Sequence, residues 1–135
     1  MIRPGRPSDL SFVRATLFES SKDSAVAHSV TDAVYARRWR PLVDALVARY
    51  RLDVFADDEL PDVILGWMLS DNVDTVVYVF VREEFRRQGI ARRLLDGLPR
   101  VTTYAFRTTS WQQASSRLAP SLHYDPSVAW RHFGA

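Results

Sequence analysis

The sequence contains no cysteine. That excludes a disulfide framework, a thiol nucleophile and a thiolate-ligated zinc site together. Lysine is nearly as scarce: Lys22 is the only one among 18 basic residues, and the others are all arginine. Only 5 glycines are present, no stretch is low in complexity, and no Gly/Ser/Pro-rich linker divides the chain. No apolar run reaches the roughly 20 residues of a membrane-spanning helix. Residues 1–7 lack the apolar core of a secretion signal. A soluble, cytoplasmic protein with no membrane partner is the expectation.

What is present fits one folded unit. With 135 residues, 47% of them hydrophobic and 25% charged, the chain can bury one core, so residues 1–135 read as a single domain. The net charge of +2 conceals an uneven distribution. Residues 52–84 carry nine acidic groups and one basic, whereas residues 85–135 carry eight basic and two acidic. An anionic ligand therefore belongs in the last segment. His28, His123 and His132 have no metal-ligand spacing to nearby carboxylates, so no metal is expected. Arg37-Arg38-Trp39-Arg40 reads as a solvated helix face, and nucleic acid is not an expected partner.

Hydrophobic periodicity orders the elements. Ser8 and Asp9 ahead of Leu10, Val13, Leu17 and Phe18 predict a short capped helix, followed by a loop over 20–30. Thr31-Asp32 opens a longer pattern of Tyr35, Trp39, Leu42, Leu46 and Tyr50, in which Pro41 predicts a kink or two abutting helices. Residues 52–56, 63–69 and 75–81 predict an antiparallel meander with acidic turns at 57–62 and 71–74. A helix over 89–98 stops at Pro99, and 101–106 is a strand. Ser110-Trp111-Gln112-Gln113 opens a helix that Pro120 ends, and 122–124 and 128–133 predict two short final strands. The fold class is α/β: N-terminal helices and a mixed sheet made of the meander and a β–α–β unit.

The chemistry lies in Val79-Phe80-Val81-Arg82-Glu83-Glu84-Phe85-Arg86-Arg87-Gln88-Gly89-Ile90-Ala91. A buried strand enters an arginine-rich loop and then a helix start that begins with glycine. The first turn of a helix leaves unpaired N–H groups at the positive end of its dipole. Gly89 has no side chain to hold a phosphate away from them, and Arg86 and Arg87 add charge beside it. Such a cradle suits a pyrophosphate.

Arg86-x-x-Gly89-x-Ala91 at this junction resembles the acyl-CoA signature of the GNAT N-acetyltransferase superfamily, Arg/Gln-x-x-Gly-x-Gly/Ala. Glu83-Glu84-Phe85 before it and Leu94-Leu95 after it fall where that family has a two-acid turn and a leucine-rich helix. The resemblance is sharp over 75–98 and extends in element order over 3–125. It implies a GNAT-like fold with a splayed parallel pair between the strands at 75–81 and 101–106. It implies acetyl-CoA as co-substrate, and a protein or small-molecule amine as acceptor. Backbone N–H groups of Arg86, Arg87, Gln88, Gly89, Ile90 and Ala91 would hold the pyrophosphate, and Ser110 would join these contacts. The backbone of Val79, Phe80 and Val81 would pair with the pantetheine arm and polarise the thioester carbonyl. Trp111 and Trp67 would line the acceptor pocket.

The resemblance leaves the proton-transfer groups open. Aligned on Ala114, the last helix has Trp111 where family members often carry asparagine, and Leu118 or Ala119 where they carry tyrosine. A glutamate base used by some members falls at Thr75, beside Asp74. Tyr124, His123 and Tyr104 are the remaining candidates, a phenol to protonate the departing thiolate and an imidazole to accept the amine's proton. Positioning alone, with protons passing through water, is the other route. The expected activity is direct acetyl transfer to an amine by a monomer or homodimer. The alternative is a catalytically degenerate GNAT-fold protein that binds CoA or a protein partner in a regulatory role.

Overall fold

The computed structural model describes residues 1–20, 31–105, 123–125, 127 and 128. Strand β1 (Ile2–Pro4) leads through a 3-10 turn (Pro7–Asp9) into α1 (Leu10–Ser20), and α2 spans Asp32–Arg49. The meander follows as β2 (Arg51–Ala56), β3 (Ile64–Ser70) and β4 (Thr75–Val81). A 3-10 turn (Glu83–Phe85) precedes α3 (Ile90–Leu95), then β5 (Thr103–Tyr104) and β6 (His123–Tyr124). The six strands form one sheet in chain order, antiparallel from β1 to β4 and parallel from β4 to β6.

Several local expectations change. The three residues of β1 are too few, and too rich in proline, to show a period of two, yet they pair with residues 53–55 of β2. Asp9 does not cap α1; it lies in the preceding 3-10 turn and forms a buried pair with Arg3. Pro41 lies inside one continuous helix on its exposed side. Trp39, Leu42, Val43 and Leu46, all buried, hold both halves of that helix to the core, and water can meet the carbonyl that lost its N–H partner. Thr31 caps α2 as its sequence implies, its Oγ1 accepting from the Val34 N–H at 3.3 Å. Residues 127 and 128 are helical, not the start of a strand. The expected helix over 110–119 lies outside the described residues.

The sheet separates two cores. On one face, α1 and α2 pack Val13, Leu17, Trp39, Leu42 and Leu46 against Val54, Trp67, Leu69, Val77 and Tyr78. On the other, α3 packs Ile90, Leu94 and Leu95 against Phe55, Leu65, Met68, Val76 and Tyr104. Strand alternation would put Val77 and Tyr78 on opposite faces, yet both belong to the first core. The cause is a bulge: Leu69 pairs with Tyr78 and Ser70 with Val76, which leaves Val77 as the extra residue.

Candidate functional site

The bulge falls where β4 parts from its parallel neighbour. Pairing with β5 covers Thr75↔Thr103 and Val76↔Tyr104, and the Ala105 N–H then donates to the Val76 carbonyl at 3.0 Å. No further ladder pair to β5 is made among the described residues, so among them the second half of β4 has one edge without a partner strand. The register identifies the groups on that edge. The Arg82 N–H donates to the Leu65 carbonyl at 2.9 Å, which makes 82/65, 80/67 and 78/69 the hydrogen-bonded pairs with β3. The N–H and C=O groups of Val79 and Val81 therefore face outward. Phe80 is committed to β3 through its backbone, and its ring stacks on Trp67 at 5.9 Å.

At the end of this edge lies the arginine loop. Phe85 and Ile90 pack into the α3-side core on either side of it. Within the loop Arg87 has φ 67° and Gly89 φ 81°, so two of three consecutive residues are left-handed. For Arg87 that conformation costs about 1–2 kcal/mol. The Arg86 N–H is occupied, donating to the Glu83 carbonyl at 3.3 Å. The next helical bond runs from the Arg93 N–H to the Gly89 carbonyl at 3.0 Å. Between them, the N–H groups of residues 87–92 meet no acceptor among the described residues. The donors that an anion could meet in this loop are therefore those of residues 87–92, the Arg86 N–H being already engaged. A Cβ built on Gly89 meets nothing within 4 Å among the described residues, so the space beside Gly89 is open. Backbone donors, open space and the exposed Arg86, Arg87 and Arg92 fit a pyrophosphate.

Gly66 sets how closely β3 approaches β4 and the start of α3. Its Cβ would lie 2.8 Å from the Phe80 carbonyl oxygen and 3.2 Å from Cγ2 of Ile90, the first residue of α3. A side chain here would push on β4 and on the helix start together. The sequence offered one signal, a glycine within the apolar run of β3, where such residues mark close approach. Gly66→Ala is expected to cost about 1–3 kcal/mol, read as a lower urea midpoint; a wild-type midpoint would show slack between β3 and α3.

The proton-transfer candidates are split between the faces. Tyr104 is 8% exposed in the α3-side core, and its ring lies 5.4 Å from that of Tyr124. Both belong to the parallel ladder at the level of Val76, about 10 Å along the strand from Val79. His123, exposed and adjacent to Tyr124 on β6, points to the opposite face by alternation. Trp67 is fully buried, its Nε1–H donating to Thr16 Oγ1 at 2.9 Å, so it has no surface with which to line a pocket. Ser110 and Trp111 lie outside the described residues.

The two acidic turns lie apart, because they join opposite ends of β3. Asp57 accepts from the N–H groups of Glu59 and Leu60, and Asp71 from those of Val73, Asp74 and Thr75. These carboxylates shape their own turns. No group of three or more potential metal ligands occurs among the described residues, and no described helix is long and apolar enough to cross a membrane.

The sequence matches no protein-family model and no curated protein. Solved structures do match in fold. A protein from Corynebacterium glutamicum ATCC 13032, described as histone acetyltransferase HPA2 and related acetyltransferase, superposes with a TM-score of 0.60 at 17% identity, over 87% of this chain and 82% of its own. A possible acetyltransferase from Clostridium difficile 630 gives 0.58 at 18% identity, over 93% and 91%. Aminoglycoside N-acetyltransferase AAC(6')-Iy, solved in complex with CoA, gives 0.51 at 14% identity, over 88% and 90%. The chain has the mixed-sheet GNAT fold of these acetyltransferases.

Proposed function

We propose that the chain belongs to the GNAT superfamily and is an acyl-CoA-dependent N-acetyltransferase. One observation carries the reading: an open β4 edge, with Val79 and Val81 facing outward, runs into the unpaired N–H groups of residues 87–92. A pantetheine arm pairs with such an edge as an added strand does, and a pyrophosphate suits such donors. The fold neighbour solved with CoA supports that ligand.

When bound, acetyl-CoA supplies a thioester that an acceptor amine attacks directly. The chain, without cysteine, offers no thiol for a covalent relay. The Val79 and Val81 N–H groups hold and polarise acceptor atoms along the edge, Val79 being the nearer to the bulge. Of the candidate acids, Tyr124 is half-buried, whereas Tyr104 belongs to the core. Tyr124→Phe is expected to cut turnover roughly 10²-fold with the CoA dissociation constant unchanged; full activity would remove Tyr124 from the mechanism.

The test is release of free thiol from acetyl-CoA across a panel of polyamine, aminoglycoside, lysine peptide and peptide N-terminal amines. Release with at least one of them is expected. CoA binding with no release across the panel would instead favour a regulatory CoA-binding protein.

A further inference from the structure

β4 can pair with β3 in two ways, and its valines do not choose between them. In the register observed, Leu69 pairs with Tyr78, Met68 with Val79 and Trp67 with Phe80, and Val77 is the bulged residue. Without the bulge, every residue from Tyr78 onward would move one place along β3, so that Leu69 met Val77 and Trp67 met Val79. Val79 and Val81 would then commit their backbone groups to β3, and those of Tyr78 and Phe80 would face the open edge. Val76, Val77, Val79 and Val81 suit an apolar layer on either side of the sheet. Tyr78 does not, because a buried phenol needs a hydrogen-bond partner.

A partner stands on α1. Tyr78, 7% exposed, donates to Ser20 Oγ at 2.8 Å, and Ser20 donates in turn to the Thr16 carbonyl at 2.6 Å. The Tyr78 ring stacks on Trp67 at 5.6 Å, and Trp67 donates to the Thr16 hydroxyl. Loss of the bulge would turn the phenol to the α3 side of the sheet, away from Ser20. Resting on the acyl-CoA reading above, we propose that Tyr78 and Ser20 are positioning residues. Their hydrogen bond fixes the bulge at Val77, and so decides that Val79 and Val81, not Phe80, meet the arm of the donor.

The experiment follows amide hydrogen exchange in wild type, Tyr78→Phe, Ser20→Ala and Val13→Ala. Val13→Ala truncates the same α1-side core but leaves the phenol and its acceptor in place. In the unbulged register the Trp67 and Leu69 amides keep partners on β4, whereas the Phe80 amide has none on β3. Phe80 should therefore exchange faster than Trp67 and Leu69 in wild type. Tyr78→Phe and Ser20→Ala should each speed Phe80 about tenfold further, the scale of one lost hydrogen bond. Val13→Ala should speed Trp67 and Leu69 and leave Phe80 at its wild-type rate. Saturating CoA, whose arm pairs with the bulged register, should slow Phe80 in Tyr78→Phe about tenfold or more. A Phe80 rate equal to those of Trp67 and Leu69 throughout would show simple opening of the strand pair and overturn the proposal. So would a Phe80 rate unmoved by Tyr78→Phe, or unmoved by bound CoA. Any of these with CoA still bound leaves the acyl-CoA reading standing. No binding of CoA to wild type would instead remove that reading, and with it the role given to Tyr78 and Ser20.

Discussion

Gly89→Val is expected to weaken CoA binding at least 100-fold while lowering stability by only about 1–3 kcal/mol. Two separate costs meet at this position. The first is conformational: φ at Gly89 is 81°, a left-handed backbone that a β-branched residue adopts only under strain. The second is obstruction. No atom of the described residues lies within 4 Å of the Cβ position, so the added methyl groups would take up open space beside the N–H groups of residues 87–92, at the expense of a bound phosphate. Losing two charge-assisted bonds from those donors to a phosphate accounts for the 100-fold. Gly89→Ala separates the costs, since it carries the backbone strain with one methyl group only. Titration calorimetry should give a graded series of wild type, alanine and valine, with valine far the weakest. Equal losses for the two variants would trace the effect to strain alone, and wild-type affinity in both would refute the cradle.

The largest expected effect on stability lies elsewhere, at Asp9. Arg3 grips its carboxylate with two nitrogens at 2.7 and 2.9 Å, and the two side chains are 8% and 5% exposed. Arg3 also donates to the Pro61 carbonyl at 3.1 Å, and the Arg6 N–H donates to Asp9 at 2.6 Å. One ion pair thus ties β1, the entry to α1 and the β2–β3 turn. Asp9→Asn leaves the Arg3 charge buried without its counter-charge, and should cost about 3–5 kcal/mol. That is a large share of the roughly 5–15 kcal/mol of a typical domain. Arg3→Met combined with Asp9→Leu should recover most of it, since a packed apolar pair needs no counter-charge.

The same pair sets a pH dependence. The Arg3 hydrogen bond holds the Asp9 carboxyl below its ordinary range, against the opposing effect of burial and with help from the Arg6 N–H. A folded-state value below the unfolded one adds stability that is complete above the unfolded carboxylate range, near pH 4, and is lost as pH falls through the folded value. Urea midpoints at pH 7 and pH 3 should therefore differ more for wild type than for Asp9→Asn. Parallel losses in the two proteins would show that Asp9 does not carry the linkage.

The sequence made the arginine loop readable because its components are local. Gly89, the small residue two positions on and the leucines of α3 lie within ten residues, and helix-start physics applies to them directly. The direction of the backbone along β4 was not local. Whether Val79 or Phe80 faces the open edge depends on a register with β3, and a one-residue bulge at Val77 shifts it. Phe80 and Val79 look alike as strand residues, and only the pairing separates them. Trp67 shows the same limit: aromatic and flanked by apolar residues, it suits a pocket wall or a core equally well until Thr16, Tyr78 and Phe80 surround it. The Arg3–Asp9 pair needed a third partner, Pro61, more than fifty residues away. β1 was hidden for another reason, since three residues carry no period and its proline argues against a strand.

The most direct measurement is a CoA titration of isotope-labelled protein that follows the backbone amides. The expected result is saturable shifts at residues 87–92 and at Val79 and Val81, with the Phe80 amide, held in its pair with Trp67, moving least among residues 79–81. Saturable binding with shifts confined to other surfaces, such as the exposed Arg37, Arg38 and Arg40 of α2, or no binding at all, would contradict the placement of an acyl-CoA site on the open edge of β4.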